Sequence, residues 1–449
     1  MTKTLLTVVA GLFAAVLPGA VMAQGHIGSL FYQSPYTFTT IAGTANEQGT
    51  NDGFNSAARF EQPAGITRDT NGNLYVTDFG ANLIRKLSPS GTNWLVSTIA
   101  GTPGSFESTD GTGRNALFSS PVCIAADHTG HLYVMDAYNT VRRLTFVSGN
   151  WVSSTIAGTS NPSGGYSDGT NGDAQFNFPY GITVDVNSNI YVADTINNVI
   201  RQVSPSGTNW VVTTIAGTVS GFGGKDGTNQ DAQFDTPYSL AVDSSSNIFV
   251  VDGGNSVVRK ISPVGTNWVV TTIAGTAGNA DAIDGNNGAA AFRAPLGIAV
   301  DAHDNVYVSD SNNNLVRQVT PVGTNWVTTT LAGSPLLTGD YADGSGSDVI
   351  FNDPWGIVAD DAGDVFVADT INSVIRMGTP PFTAFMTVET NSPTSMVISW
   401  PVIGGILQTN SDLSTSNWAN CGATYTVNGH TTQATIPIGA GTLFFRLSF

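Results

Sequence analysis

The chain is poor in cysteine, histidine and positive charge. Its 449 residues include 2 Cys, 5 His and 16 Lys+Arg against 33 Asp+Glu, a formal net charge of −17 at pH 7. Two cysteines, Cys123 and Cys421, do not make a disulfide scaffold, and both read as unpaired structural thiols. A chain this long buries enough surface to need no such staples. With a pI near 4.3 and no basic run, nucleic-acid binding is disfavoured, because that affinity comes from Lys and Arg neutralising phosphates. Histidine is confined to His26, His128, His131, His303 and His430, too few for a converging zinc set. No Gly-x-Ser-x-Gly elbow, phosphate-binding loop or Cys/His nucleophile pair is present. Beyond Leu5–Val16 there is no long apolar run, so no transmembrane segment is expected.

The chain is rich in repetition. T-I-A-G-T stands at Thr40–Thr44, Thr98–Thr102, Thr155–Thr159, Thr214–Thr218 and Thr272–Thr276, with T-L-A-G-S at Thr330–Ser334. Asp78, Asp136, Asp194, Asp252, Asp310 and Asp369 keep the same step. So do Pro63, Pro121, Pro179, Pro237, Pro295 and Pro354, and Phe60, Phe118, Phe176, Phe234, Phe292 and Phe351. A fixed internal period marks a repeat architecture. In the third copy, Gly181–Asp185, Asn189–Asp194, Val199–Ser204 and Trp210–Gly217 are β-branched, alternating runs separated by turn residues, and are predicted as strands A to D. Four antiparallel strands cannot bury both faces alone, but six such units arranged radially can. The expectation is an all-β chain: a six-bladed β-propeller of four-stranded blades over residues 36–379.

The ends support closure. The sixth copy stops after Val374–Met377 with no fourth strand, and the first copy is preceded by an orphan strand, Tyr36–Gly43. That N-terminal strand is predicted to complete blade six and close the ring, protecting edges that would otherwise pair with other chains. Residues 1–23 read as a signal peptide: Lys3, the apolar run, and Val21-Met22-Ala23 before the cut. Residues 24–35 are a lead-in. The chain is expected to be exported, secreted or periplasmic or at the cell surface, and monomeric. After Thr379-Pro380-Pro381 the period ends, and residues 380–449 read as a small C-terminal β-sandwich. Trp400, Leu407, Gln408, Leu413, Trp418, Phe445 and Arg446 resemble short modules on bacterial secreted proteins, read as a packed accessory domain or as an attachment or carbohydrate-contact module.

The stretch from Pro63 to Arg85, PAGITRDTNGNLYVTDFGANLIR, and its counterpart from Pro295 to Arg317 resemble the NHL repeat. The resemblance recurs in all six units. It implies a propeller that serves as a binding platform, and less often an enzyme such as a peptidylglycine amidating lyase. Fold alone does not choose between these. Blade two departs from the pattern with Cys123 in place of Gly, and blade four with Ser239.

Three aspartate rings are the most conspicuous chemistry. One belongs to Asp-Gly pairs (Asp52, Asp110, Asp168, Asp226, Asp284, Asp343). One ends strand A (Asp69, Asp127, Asp185, Asp243, Asp301, Asp360), and the Asp78 series ends strand B. Asp at such places caps turns through its own side chain or pairs with arginine, here the ring from Arg85 to Arg376. Oxygen ligands at Asp168/Asp173, Asp226/Asp231 and Asp343/Asp348 suit Ca2+ as an alternative to plain turns. No cofactor is required by this pattern.

Function is therefore sought where the copies differ. About 19 residues link successive blades, and long connections tend to be functional. The residue after each repeated proline also varies: Ala64, Val122, Tyr180, Tyr238, Leu296 and Trp355. Tyr180, Tyr238 and Trp355, with Phe106, Tyr166, Phe222 and Tyr341 on the connections, are expected to form an aromatic rim. Such a rim suits a protein, peptide or glycan ligand, with packing between blades as its bland alternative. The rival functional readings are a metal-dependent lyase or hydrolase at the channel mouth, and a structural cell-surface protein.

Overall fold

Each run of β-branched and aromatic residues forms a strand, and each cluster of Gly, Asn and Ser forms a turn. The structure, a computed structural model, describes residues 35–381 apart from 138, 162, 220 and 336–339, together with the strands of the C-terminal segment. The expected signal peptide and Cys421 lie outside the described residues. Contacts divide the chain after Pro381. Among the described residues, no helix is long and apolar enough to cross a membrane.

Six antiparallel sheets form a ring. In the third blade the order from the centre outward is Gly181–Val184, Ile190–Asp194, Val199–Ser206, Asn209–Gly217, and then a two-residue strand, Gly169–Thr170. The expected four strands are thus five in every blade but the second, whose sheet has four. The reason lies in the connection between blades. It carries the Asp-Gly pair past the outer edge of the next blade, where Gly169 and Thr170 pair with Val212 and Val211. It then makes a one-turn 3-10 helix and delivers Phe176 to the core. The connections are not structureless. The third strand is also longer than the sequence pattern indicated. Pro205 pairs with Trp210 and Ser206 with Asn209, leaving a two-residue hairpin loop.

The ring closes as expected. Thr37–Ala42 pairs with Val374–Thr379 in the sheet of blade six, with Thr37 opposite Thr379 and Thr40 opposite Arg376. The inner strands touch in sequence around the axis, blade one meeting both blade two and blade six. The buried residues form six clusters, each shared by two neighbouring blades, so the core lies between blades. At the axis this demands glycine. A Cβ on Gly65 would sit 2.7 Å from the Cα of Cys123, and one on Gly181 2.8 Å from the Cα of Ser239. The larger residues Cys123 and Ser239 each follow a blade that has glycine there. The Cys123 thiol is buried, and burial pushes its pKa up.

The segment after Pro381 forms two small antiparallel sheets. One joins Thr387–Ser392, Ser395–Pro401, Thr431–Pro437 and Thr424–Asn428; the other joins Ala419–Asn420, Ile406–Asn410 and Phe444–Ser448. The Trp400 and Trp418 side chains singled out in the sequence lie outside the described residues.

Candidate ligand-binding face

The repeated charges are drawn inward. Arg201 is fully buried between two carboxylates, Nη1 donating to Asp194 (2.8 Å) and Nη2 to Asp168 (2.7 Å). Its guanidinium lies 5.1 Å from the centre of the Phe176 ring. The same group of Phe, Arg and two Asp recurs around the ring, as at Arg85 with Asp78 and Asp52 over Phe60. Blade two is looser, with Arg142 3.7 Å from Asp136, where the turn is one residue shorter. Asp168 also accepts from Thr214, and Asp226 from Thr272. Burial pushes Asp78, Asp194 and Asp252 up to about 6, against the pull of the arginine. The aspartates ending strand A cap turns: Asp185 accepts the N–H groups of Asn187 and Asn189 and the hydroxyl of Tyr191. Among the described residues, no three His, Cys, Asp or Glu side chains converge.

The long connections and the B–C turns share one face. Asn197 Nδ2 donates to the Gly165 carbonyl (2.9 Å) and Asn255 Nδ2 to that of Gly223 (2.8 Å). At the mouth, the residue before each repeated proline takes a left-handed conformation, although none is glycine: Gln62, Ser120, Phe178, Thr236, Ala294 and Asp353 have φ from +41° to +59°. Such strain persists only where surroundings enforce it. The pin is a side chain ending the preceding blade's turn; Phe178 N–H donates to Asn139 Oδ1 (2.6 Å) and Thr236 N–H to Asn198 Oδ1 (2.7 Å). The mouth residues therefore sit on an enforced backbone.

The expected rim residues separate into groups. Tyr180 and Tyr238 are half-buried and meet edge to face at 5.6 Å. Trp355 is half-buried, donates from Nε1 to Asp353 (3.0 Å), and meets Phe79 at 6.0 Å. Phe106 and Phe222 project into solvent at 68% and 74% exposure. Tyr166 and Tyr341 lie elsewhere, against Arg201 (5.0 Å) and Arg376 (4.9 Å) at the outer part of their blades. Asp173 and Asp231 are exposed in 3-10 turns, as is Asp348, away from the axis. Phe79, Asp353, Glu61 and Asp235 were not singled out in the sequence. Only a column-by-column comparison of the copies would have marked them.

The central channel holds about 170 Å3 and is walled by inner-strand residues such as Ile66, Cys123, Ile182, Leu240, Ile298 and Ile357. Apart from the Cys123 thiol, its wall offers no titratable side chain.

Fold and face together define a six-bladed β-propeller that contains NHL repeats. The NHL repeat family pattern matches residues 60–87 and 292–319. Over 292 residues the chain is 27% identical to the protein Suppressor of Quenching 1, chloroplastic, of Arabidopsis thaliana, covering 62% of this chain and 26% of that one. It is 30% identical over 177 residues to NHL repeat-containing protein 2 of Bos taurus, covering 37% and 24%. The chain thus spans about a quarter of the length of these relatives. Among solved structures, an auxiliary nutrient binding protein of Bacteroides thetaiotaomicron shares the fold at a TM-score of 0.57 and 19% identity, over 78% of each chain. A protein of unknown function from the same organism does so at 0.58 and 21%, over 78% of this chain and 76% of that one.

Proposed function

We propose that this propeller is a binding platform that holds a ligand on its long-loop face and performs no chemistry there. The observation that carries this is the division of labour among side chains. The repeated carboxylates and arginines are spent on one another inside each blade. Three of the six residues that vary after the repeated proline, Tyr180, Tyr238 and Trp355, are aromatic and half-buried at the mouth, each following a residue on an enforced backbone. Rigid aromatic side chains in polar surroundings supply binding energy at low entropic cost. The channel below them is walled by the inner strands, and Cys123 is the one titratable side chain among the residues that line it. Export and envelope attachment through the C-terminal segment belong to the same proposal, as does a protein, peptide or glycan as the natural ligand.

A pull-down from native extract tests it, using the wild-type chain and a Tyr180/Tyr238/Trp355 triple-alanine variant. The expected outcome is a partner recovered by the wild type and lost from the variant, with a single cooperative thermal transition retained. Equal recovery of every partner by both would remove the mouth as the site.

A further inference from the structure

The side chains that break the sixfold repeat fall into a twofold pattern. The position after the repeated phenylalanine holds Glu61, Ser119, Asn177, Asp235, Arg293 and Asn352, so it is acidic only in blades one and four. In the B–C turn of those two blades the second residue is glycine, Gly80 and Gly254, where blades three, five and six have Ile196, Asn312 and Ile371. Two blades lie between one and four in either direction around the closed ring, so the two stand opposite each other across the mouth.

The two departures are coupled in space. A Cβ on Gly254 would sit 2.6 Å from the Cγ of Asp235, and one on Gly80 2.9 Å from the Cγ of Glu61. Each acid therefore lies on the glycine of its own turn, and any other residue there would displace it. Both are anchored by their backbone: the Glu61 N–H donates to Asp78 (2.7 Å) and the Asp235 N–H to Asp252 (2.8 Å). Aromatic rings complete each pole, one from the same blade and one from its predecessor. Tyr238 lies over Gly253 and meets Tyr180 of blade three. Phe79 meets Trp355 of blade six, whose Nε1 holds a further carboxylate, that of Asp353. Among the described residues neither Glu61 nor Asp235 pairs with a basic side chain, although Arg59, Arg68 and Arg85 each find an acidic partner.

We propose that the mouth binds a linear ligand bearing two ammonium groups, one at each pole, with Asp235, Tyr180 and Tyr238 receiving one and Glu61, Asp353, Phe79 and Trp355 the other. This rests on the platform reading above and adds the chemistry of the ligand. Ring faces carry negative potential and attract cations, and a half-buried carboxylate beside them gains from a charged partner. Glycine under each acid keeps the approach open.

The net charge of −17 attracts any cation, so the test must separate the site from the field. Isothermal titration of the full chain with a series of linear α,ω-diamines of increasing length, at about physiological ionic strength where distant charges are screened, does so. The expected result is saturable binding of one diamine per chain at the length that spans the two poles. Glu61→Gln and Asp235→Asn are each expected to weaken it at least tenfold, and n-propylamine to bind far more weakly. Asp304→Asn, which removes one charge from an exposed turn on the opposite face, leaves it unchanged. Thermal unfolding of each variant confirms an intact fold. Absence of saturable binding, or equal affinity of the wild type and the Glu61→Gln/Asp235→Asn double variant, overturns the proposal. If a partner captured from extract still depends on Tyr180, Tyr238 and Trp355 in that event, the platform stands and only the diamine falls. If that dependence is missing too, both fall.

Discussion

At the scale of single residues, the two aspartates around each arginine are not equivalent. The Asp168 side chain is 46% exposed, whereas that of Asp194 is fully buried. One guanidinium cannot fully compensate two carboxylates, and desolvation falls on the buried one. The consequence for stability follows from linkage. Asp78, Asp194 and Asp252 titrate near 6 in the folded chain, above the ordinary carboxylate value of 3.8 that holds when unfolded. Between those limits the folded state binds more protons. Stability from these groups therefore rises as pH falls from above 6 toward 4, and declines as pH rises again. Asp110 and Asp127 are held below the ordinary value, so their contribution is lost only under stronger acid. The urea midpoint is expected to be at least as high at pH 5 as at pH 7.5, and Asp194→Asn should flatten the slope. A steep loss of stability over that window would show that the buried carboxylates are instead held ionised. The rings of Asp and Arg were legible in the sequence as periods. That two rings converge on one arginine was not, because it depends on how the connection before each blade folds back across its outer edge.

At the scale of elements, the tryptophan of the fourth strand in blades one to five is a joint between blades. Trp268 meets Tyr191 of the preceding blade at 5.9 Å, Trp210 meets Tyr133 at 6.2 Å, and Trp326 meets Phe249 at 5.8 Å, all edge to face. Trp94 reaches across the closure to Phe366 of blade six at 5.8 Å. Aromatic pairs contribute beyond the area they bury. Trp268→Ala is expected to lower stability by about 2–3 kcal/mol, below the roughly 3–5 kcal/mol of a fully buried ring because this one is half-buried. Urea unfolding measures it; a change below about 0.5 kcal/mol, the level of an ordinary surface substitution, would mean the joint is ornamental. The strand itself was plain from its alternation. Its partner was not, since Trp268 and Tyr191 belong to different repeats and periodicity within one repeat says nothing of its neighbour. The fifth strand was hidden for another reason: two residues, Gly169 and Thr170, are too few to show any alternation.

At the scale of the whole molecule, each blade packs only on its neighbours, so the ring is as cooperative as its weakest junction. Blades five, six and one depend on a single strand brought from the other end of the chain. Thr37–Ala42 covers the third strand of blade six, and Phe38 fills that blade's core against Phe351 at 5.0 Å. Tyr36 takes the place that tryptophan holds in the other blades, and its hydroxyl donates to the Gly363 carbonyl at 3.1 Å. Removing the strand would leave Val374–Thr379 as an unpaired edge, a template for aggregation, and would open a large cavity beside Phe351. A chain beginning at Thr44 is therefore expected to lose the single cooperative thermal transition of the full chain and to aggregate at a markedly lower temperature. Tyr36→Phe is the matched control, because it removes one hydrogen bond and keeps the ring shut, at a cost of about 1 kcal/mol. Calorimetry on the three chains distinguishes closure from simple packing. If the shortened chain melts as one transition within a few degrees of the full chain, the ring holds together without its clasp, and blade six must then be stabilised by its inner strands alone.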